Sequence, residues 1–153
     1  LVRPQARQQW PLLSESLGHF LLVLDEGPEK TSAYRRANPS PAMFVKAHQD
    51  VDRFASVAVL NDPQQDFSDI EAAVREGRLV RTRADADTKE ARLNDGARRA
   101  AALASGAQAV STDYIWPSDF FESAYRVELP DLPVGAVARC NELLRAPCVI
   151  FEQ

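Results

Sequence analysis

The sequence contains few histidines and cysteines, and it has no excess of positive charge. Neither of its two histidines, His19 and His48, has a partner placed for general-base or nucleophilic work. The two cysteines, Cys140 and Cys148, are too few and too far apart for a zinc site, but they leave open one disulfide or two buried thiols. A net charge of −4 gives no overall attraction to nucleic acid, so we expect no nucleic-acid partner.

Several common signatures are also missing. There is no Gly-rich phosphate loop, no Gly-x-Ser-x-Gly turn and no His-Glu-x-x-His helix. The longest apolar run, residues 20–24, is far shorter than the ~20 residues of a membrane span. The chain opens with LVRP, without an initiator Met or a signal-peptide pattern, and we expect it to be part of a longer polypeptide.

Short apolar segments alternate with helical patterns along the 153 residues. The predicted strands are residues 20–25, 42–47, 56–60, 78–83 and 107–113. A capping box at residues 68–71 begins one helix, which ends at Gly77, and a second helix runs from Thr88 to Gly106. Residues 26–41 are predicted to be a polar loop, and residues 115–153 form a tail with β-like stretches at 125–129 and 134–140.

This alternation predicts an α/β protein with parallel strands. Continuous apolar runs such as residues 20–25 favour strands buried on both faces. So few strands do not close an eight-stranded barrel, which leaves an open sheet or the second half of a barrel. In either fold, the functional side chains are expected at the carboxyl ends of the strands.

Arg81 and Arg83 are the first candidates for function. Two residues apart on one strand, they point to the same face, and arginine suits bidentate binding of phosphate. The alternative is a structural network with Asp85, Asp87 and Asp113. Both interpretations place the two arginines at a polar edge of the sheet.

Four further candidates follow predicted strands. Asp113 could orient a histidine, bind a metal or hold a hydroxyl, and it could equally be a turn residue. Tyr114 could stack on a polyol ring or lie half-buried at the rim. Asp25 and Lys46 end adjacent strands, where they would form a salt bridge or bind sugar hydroxyls and phosphate.

Three blocks carry a resemblance to a known family. They are GRLVRTRAD at residues 77–85, LASGAQ at 103–108 running into STDY at 111–114, and ARCN at 138–141. In order and spacing they resemble the C-terminal half of the calcium-dependent phosphoinositide phospholipase C-like family of bacteria and fungi. The resemblance covers roughly residues 10–147, with departures at Gly96 and at Asn141-Glu142.

The resemblance implies the C-terminal half of a TIM-barrel-like, phosphatidylinositol phospholipase C-type barrel. Residues 1–153 would then be a single partial catalytic domain, a half-barrel with a β-rich tail. The implied reaction cleaves the phosphodiester of an inositol phospholipid with a histidine pair and calcium. The histidines and most calcium ligands would come from a missing N-terminal half-barrel, so this chain alone is expected to be inactive and no metal ligand is assigned in it.

By the same resemblance, Asp113 is assigned a catalytic role in orienting a histidine from the other half, and Tyr114 lines the inositol pocket. The expected substrate-binding residues are Arg81, Arg83, Asp85, Tyr114, Lys46 and Asp25. The expected partners are a phosphoinositide or related phosphodiester and, peripherally, a membrane, with a secreted or periplasmic location. The alternatives are a non-catalytic half-barrel module and a glycerophosphodiester phosphodiesterase, a family that also ends a late strand in Thr-Asp.

Overall fold

A parallel sheet organises the protein in the computed structural model, which describes residues 10–46 and 56–144. The strands in this part of the chain are β1 (Val23–Leu24), β2 (Phe44–Val45), β3 (Val57–Val59), β4 (Leu79–Arg83) and β5 (Ala109–Ser111). β1 pairs with β2, and β4 lies between β3 and β5. A parallel bridge from Lys46 to Val57 connects the two groups, so neighbours in the sheet follow one another along the chain.

Helices connect the strands. They are α1 (Leu13–Ser16), α2 (Pro28–Ala37), α3 (Phe67–Arg75), α4 (Lys89–Leu93) and α5 (Ala97–Ala104). α3 and α5 both pack against β4. The prediction of an α/β protein with parallel strands is therefore confirmed. No helix in the described ranges is both long and apolar enough to cross a membrane.

The core lies between α3 and the sheet. Ile70, Val74 and Val80 are fully buried there, and Leu143 from the tail packs against the same cluster. Ile70 and Val74 are four residues apart and so share one face of α3, as their spacing predicts. β4 alternates between the two sides of the sheet. Val80 and Thr82 are buried, whereas Arg81 is half-buried and Arg83 is exposed.

Residues 26–41 do not form the predicted loop, because α2 occupies most of this segment. Pro28 stands in the first helical turn, where its missing N–H costs nothing, and Glu29 complements the positive end of the helix. Thr31 is the one buried residue of this polar helix. The apolar periodicity on which a helix prediction depends is therefore absent, and the loop prediction was wrong.

The prediction of a single helix from Thr88 to Gly106 was also wrong, because this segment divides into α4 and α5. Asn94 has a left-handed backbone with φ of 52°, and Gly96 precedes α5. The capping box at residues 68–71 does not form because α3 already begins at Phe67, after Asp66. Gly77 and Gly106, at φ of 80° and 76°, end their helices as predicted.

Two further expectations about strands were wrong. In the tail, residues 125–129 and 134–140 lie in irregular structure without a strand. The run at residues 20–25 is not buried on both faces, since Phe20 and Leu22 are exposed. Cys140 is disulfide-bonded, while Cys148 and His48 lie outside the described residues.

Candidate functional site

The carboxyl edge of the sheet consists of the last residues of β1–β5, the residues directly after them, and Arg81 of β4, which is level with the last residue of β3. Arg81 lies at its centre. Its Nε donates to Oγ of Ser111 at 2.7 Å, and its Nη1 donates to Oδ1 of Asn61 at 2.7 Å. Because Asn61 follows β3 and Ser111 ends β5, one guanidinium joins the ends of three strands. Its Nη2 has no hydrogen-bond partner in the described part of the chain and can donate to a ligand.

Arg83 provides a second cation at this edge. It is exposed, and within residues 10–46 and 56–144 its side chain makes no hydrogen bond or ion pair. Partial burial lowers the pKa of Arg81, the charge of Arg83 lowers it further, and the carboxylate of Asp25 raises it. The two guanidiniums therefore repel each other, and an anion bound between them would relieve that repulsion.

Asp25 and Lys46 form an ion pair at the ends of β1 and β2. Lys46 Nζ lies 2.8 Å from Oδ1 of Asp25, and both side chains are partly exposed. The salt bridge, one of the two roles that the sequence left open, is thus present. The carboxylate of Asp25 is also near enough to Arg81 to raise the pKa of that guanidinium. Whether either residue contacts a substrate stays a prediction.

Asp85 is buried just beyond β4, with 4% of its surface exposed. Its carboxylate accepts hydrogen bonds from Oγ1 of Thr112 at 2.5 Å and from the backbone N–H of Asp113 at 3.0 Å, and the hydroxyl oxygen of Tyr125 lies 3.5 Å from its Oδ2. These contacts join the ends of β4 and β5 to the tail. The geometry gives Asp85 an organising position beneath the edge, and its predicted role in substrate binding stays a prediction.

Tyr125 completes this buried cluster from the tail. Its hydroxyl donates to the carbonyl of Ala84 at 2.9 Å, and its ring packs edge-on against Tyr114 with centroids 5.6 Å apart. Burial, and next the negative charge of Asp85, raise the pKa of Tyr125 to about 12. The hydroxyl therefore stays protonated at neutral pH and remains a hydrogen-bond donor.

Asp113 and Tyr114 point to different surroundings. The side chain of Asp113 is exposed and has no hydrogen bond or ion pair among the described residues, so it is accessible at the edge. Tyr114 is buried among Ala91, Tyr125 and Phe121. The structure thus brings Arg81, Arg83 and Asp113 to one edge, whereas Tyr114 is buried against other side chains beneath that edge. Their roles in catalysis and inositol binding stay predictions.

Sequence reasoning missed the side chains that hold Arg81. Neither Asn61 nor Ser111 was assigned a role in the site from the sequence. The pairing register of the strands indicates the position of both residues. Val59 pairs with Arg81 and Arg83 pairs with Ser111, so Asn61 and Ser111 lie diagonally across from Arg81 on the same face.

The residues in the described ranges do not form a calcium site by themselves. No group of three or more His, Cys, Asp or Glu side chains lies close enough together there to hold a metal ion. Calcium takes roughly six to eight oxygen ligands, commonly with several carboxylates among them. Asp25 is already paired with Lys46, and Asp85 is already bonded to Thr112.

Comparisons with known proteins give one match. The family model described as phosphoinositide phospholipase C, Ca2+-dependent, matches residues 4–142. None of the curated proteins and none of the solved structures matches the chain. The matched range contains every residue of the carboxyl edge.

Proposed function

The chain belongs to the calcium-dependent phosphoinositide phospholipase C family, and we propose that its carboxyl edge binds the phosphodiester of an inositol phospholipid for cleavage. Arg81 and Arg83 bind the phosphate, and the Asp25–Lys46 ion pair, two strands away at the ends of β1 and β2, makes further contacts to the substrate.

The observation that carries the proposal is the pair of guanidiniums on β4, Arg81 in the middle of the strand and Arg83 at its end. Arg81 is held in place by Asn61 and Ser111, whereas Arg83 is exposed and unpaired within the described residues. A fixed donor beside a second cation suits a phosphodiester, whose two free oxygens share one negative charge. The arrangement would also stabilise negative charge that develops on those oxygens when an adjacent hydroxyl attacks phosphorus.

We also propose that this chain is the C-terminal half of a barrel. Two observations support the proposal. Consecutive strands are neighbours in the sheet, which is the order of a TIM barrel rather than of a sheet that reverses at a switch point. Leu79, Arg81 and Ala109 on one face are only half-buried, as expected of a barrel interior that another half would cover, although Val57 on the same face is buried.

Replacing Arg83 by Gln should weaken the binding of inositol 1-phosphate about tenfold, because one charge-assisted hydrogen bond is lost. Arg75→Gln on the exposed side of α3 is the matched control and should leave affinity unchanged. Isothermal titration calorimetry on both variants checks this. Equal affinities for the two variants, or no binding by the unsubstituted chain, would contradict the proposal. Tighter binding of glycerol 3-phosphate would favour a glycerophosphodiesterase.

The loop after β5 supports the proposal of a peripheral membrane contact. Ile115, Trp116 and Phe120 are all exposed, Phe120 to 94%, although they follow the site-bearing strand directly. Exposed aromatic and aliphatic side chains next to a phosphate-binding edge suit a lipid substrate, whose head group and chains are contiguous.

Removing both aromatic rings, with Trp116→Ala and Phe120→Ala together, should lower binding to phosphatidylcholine vesicles by about tenfold, since two apolar side chains no longer enter the interface. Leu12→Ala is the control, because Leu12 is 67% exposed and Trp116 is 65% exposed. Vesicle co-sedimentation measures the difference. A similar loss in both proteins would refute a specific role for the loop.

An extracytoplasmic location is the last part of the proposal. The disulfide at Cys140 supports it, because such bonds persist mainly in oxidising compartments.

A further inference from the structure

Two arginines donate hydrogen bonds to Asn61. Its side-chain Oδ1 accepts from Nη1 of Arg81 at 2.7 Å, and its backbone carbonyl accepts from Nη2 of Arg98 at 2.6 Å. Arg98 belongs to α5, which packs against β4. A residue on a helix thus fixes the backbone of the residue that holds the central guanidinium of the site.

Arg98 is itself held in place by Glu90. Its side chain is 16% exposed and lies beside Glu90, which is 9% exposed, with 3.8 Å between Nη1 and Oε1. Glu90 Oε2 also accepts from the backbone N–H of Ala86 at 2.9 Å. Together these contacts connect the loop after β4, through Glu90 and Arg98, to Asn61 at the end of β3.

The distances indicate what Arg98 contributes. If pairing with Glu90 were its main role, the guanidinium would approach the carboxylate at hydrogen-bond distance. Instead, its short contact is made with the carbonyl of Asn61, and the ion pair stays at 3.8 Å. Nε of Arg98 is buried without a hydrogen-bond partner in the described residues, so the side chain holds this position at a cost in free energy.

We propose that Arg98 is a positioning residue: by holding the carbonyl of Asn61 it fixes the Asn61 amide, which in turn holds Arg81 in the orientation that binds phosphate. Glu90 neutralises the partly buried charge of Arg98. The inference rests on the proposed function, since it concerns the same phosphate-binding edge. Arg98 acts through Asn61, not by contact with the substrate.

The test uses a double variant, Glu90→Gln with Arg98→Met, which removes both buried charges together and leaves neither unpaired. Two readouts are taken on the full chain. The first is the rate at which the Nε–Hε proton of Arg81 exchanges with water, measured by NMR. The second is the affinity for inositol 1-phosphate. The matched control is Glu71→Gln with Arg75→Met, an exposed ion pair on α3.

The double variant should speed exchange of the Arg81 proton and weaken inositol 1-phosphate binding about fivefold, because an ordered donor becomes mobile. The control pair should change neither value. If the thermal midpoint falls while exchange and affinity stay at their original values, Arg98 is only structural and the inference is overturned.

A second variant tests the inference if the double variant does not fold. Asn61→Ala removes the next link, the hydrogen bond that Arg81 donates to the Asn61 side chain, at an exposed position without touching a buried charge, and it should also produce faster exchange. Unchanged exchange in Asn61→Ala would overturn the inference. The exchange rate also separates the two hypotheses. If the unsubstituted chain binds no inositol 1-phosphate, the proposed function fails, while exchange still reports whether Arg98 and Asn61 order Arg81.

Discussion

Replacing Asp85 by Ala should lower the free energy of unfolding by about 3 kcal/mol, because buried donors would lose their acceptor. Thr112 and the backbone of Asp113 donate to this carboxylate, which is 4% exposed, and the hydroxyl of Tyr125 lies beside it. The ends of β4 and β5 would lose one of the polar links between them. Urea denaturation followed by circular dichroism measures the change.

The matched control for Asp85 is Asp119→Ala, which removes an exposed carboxylate that has no hydrogen bond or ion pair within the described residues. It should change stability by less than about 0.5 kcal/mol. The pair of variants also tests the role expected from the sequence. If Asp85→Ala keeps full stability but loses inositol 1-phosphate binding, Asp85 is a substrate ligand and not an organising residue.

Replacing Gly106 by Ala should cost roughly 2–3 kcal/mol, from two sources that add. The backbone at Gly106 is left-handed, with φ of 76°. An added Cβ would also lie 2.3 Å from Cδ1 of Leu143, which packs against the core under α3. Leu143 would have to move, and the contact by which Nδ2 of Asn141 donates to the carbonyl of Gly106 at 2.7 Å would weaken. The denaturant midpoint reports the loss.

Gly18→Ala provides the control for the backbone term alone. Gly18 has nearly the same φ, 75°, but an added Cβ there would meet no atom within 4 Å. The substitution should therefore cost about 1 kcal/mol, the penalty of the left-handed conformation without a steric one. Equal losses at the two glycines would show that the tail does not dock on the end of α5.

Local chemistry made the sheet predictable. β3 and β5 are short, mainly apolar segments, β4 begins with two apolar residues soon after Gly77, and left-handed glycines end the helices at residues 77 and 106. The helix α2 was not predictable in this way. Its stability comes from Pro28 in the first turn and basic residues in the last, and only Thr31 is buried. Such a helix lacks the apolar stripe that sequence patterns report.

Part of the candidate site was likewise predictable from the sequence, and part was not. Strand periodicity placed Arg81 and Arg83 on one face, because neighbours two apart on a strand share a side. The partners of Asp85 could not be foreseen, since Tyr125 reaches it from a tail segment 40 residues away. That approach depends on how the irregular tail folds back over α5, and irregular segments carry no periodicity from which a contact can be inferred.

The bonds of Arg81 have a consequence for how this site can diversify. Both partners, Asn61 and Ser111, belong to strand ends and not to the long connections beyond them. Loops at this edge, including the one with Trp116, can therefore change in length or composition without moving the central cation. Under the proposed function, head-group preference and choice of lipid surface would then evolve separately from phosphate binding, with new specificities built around an unchanged anchor.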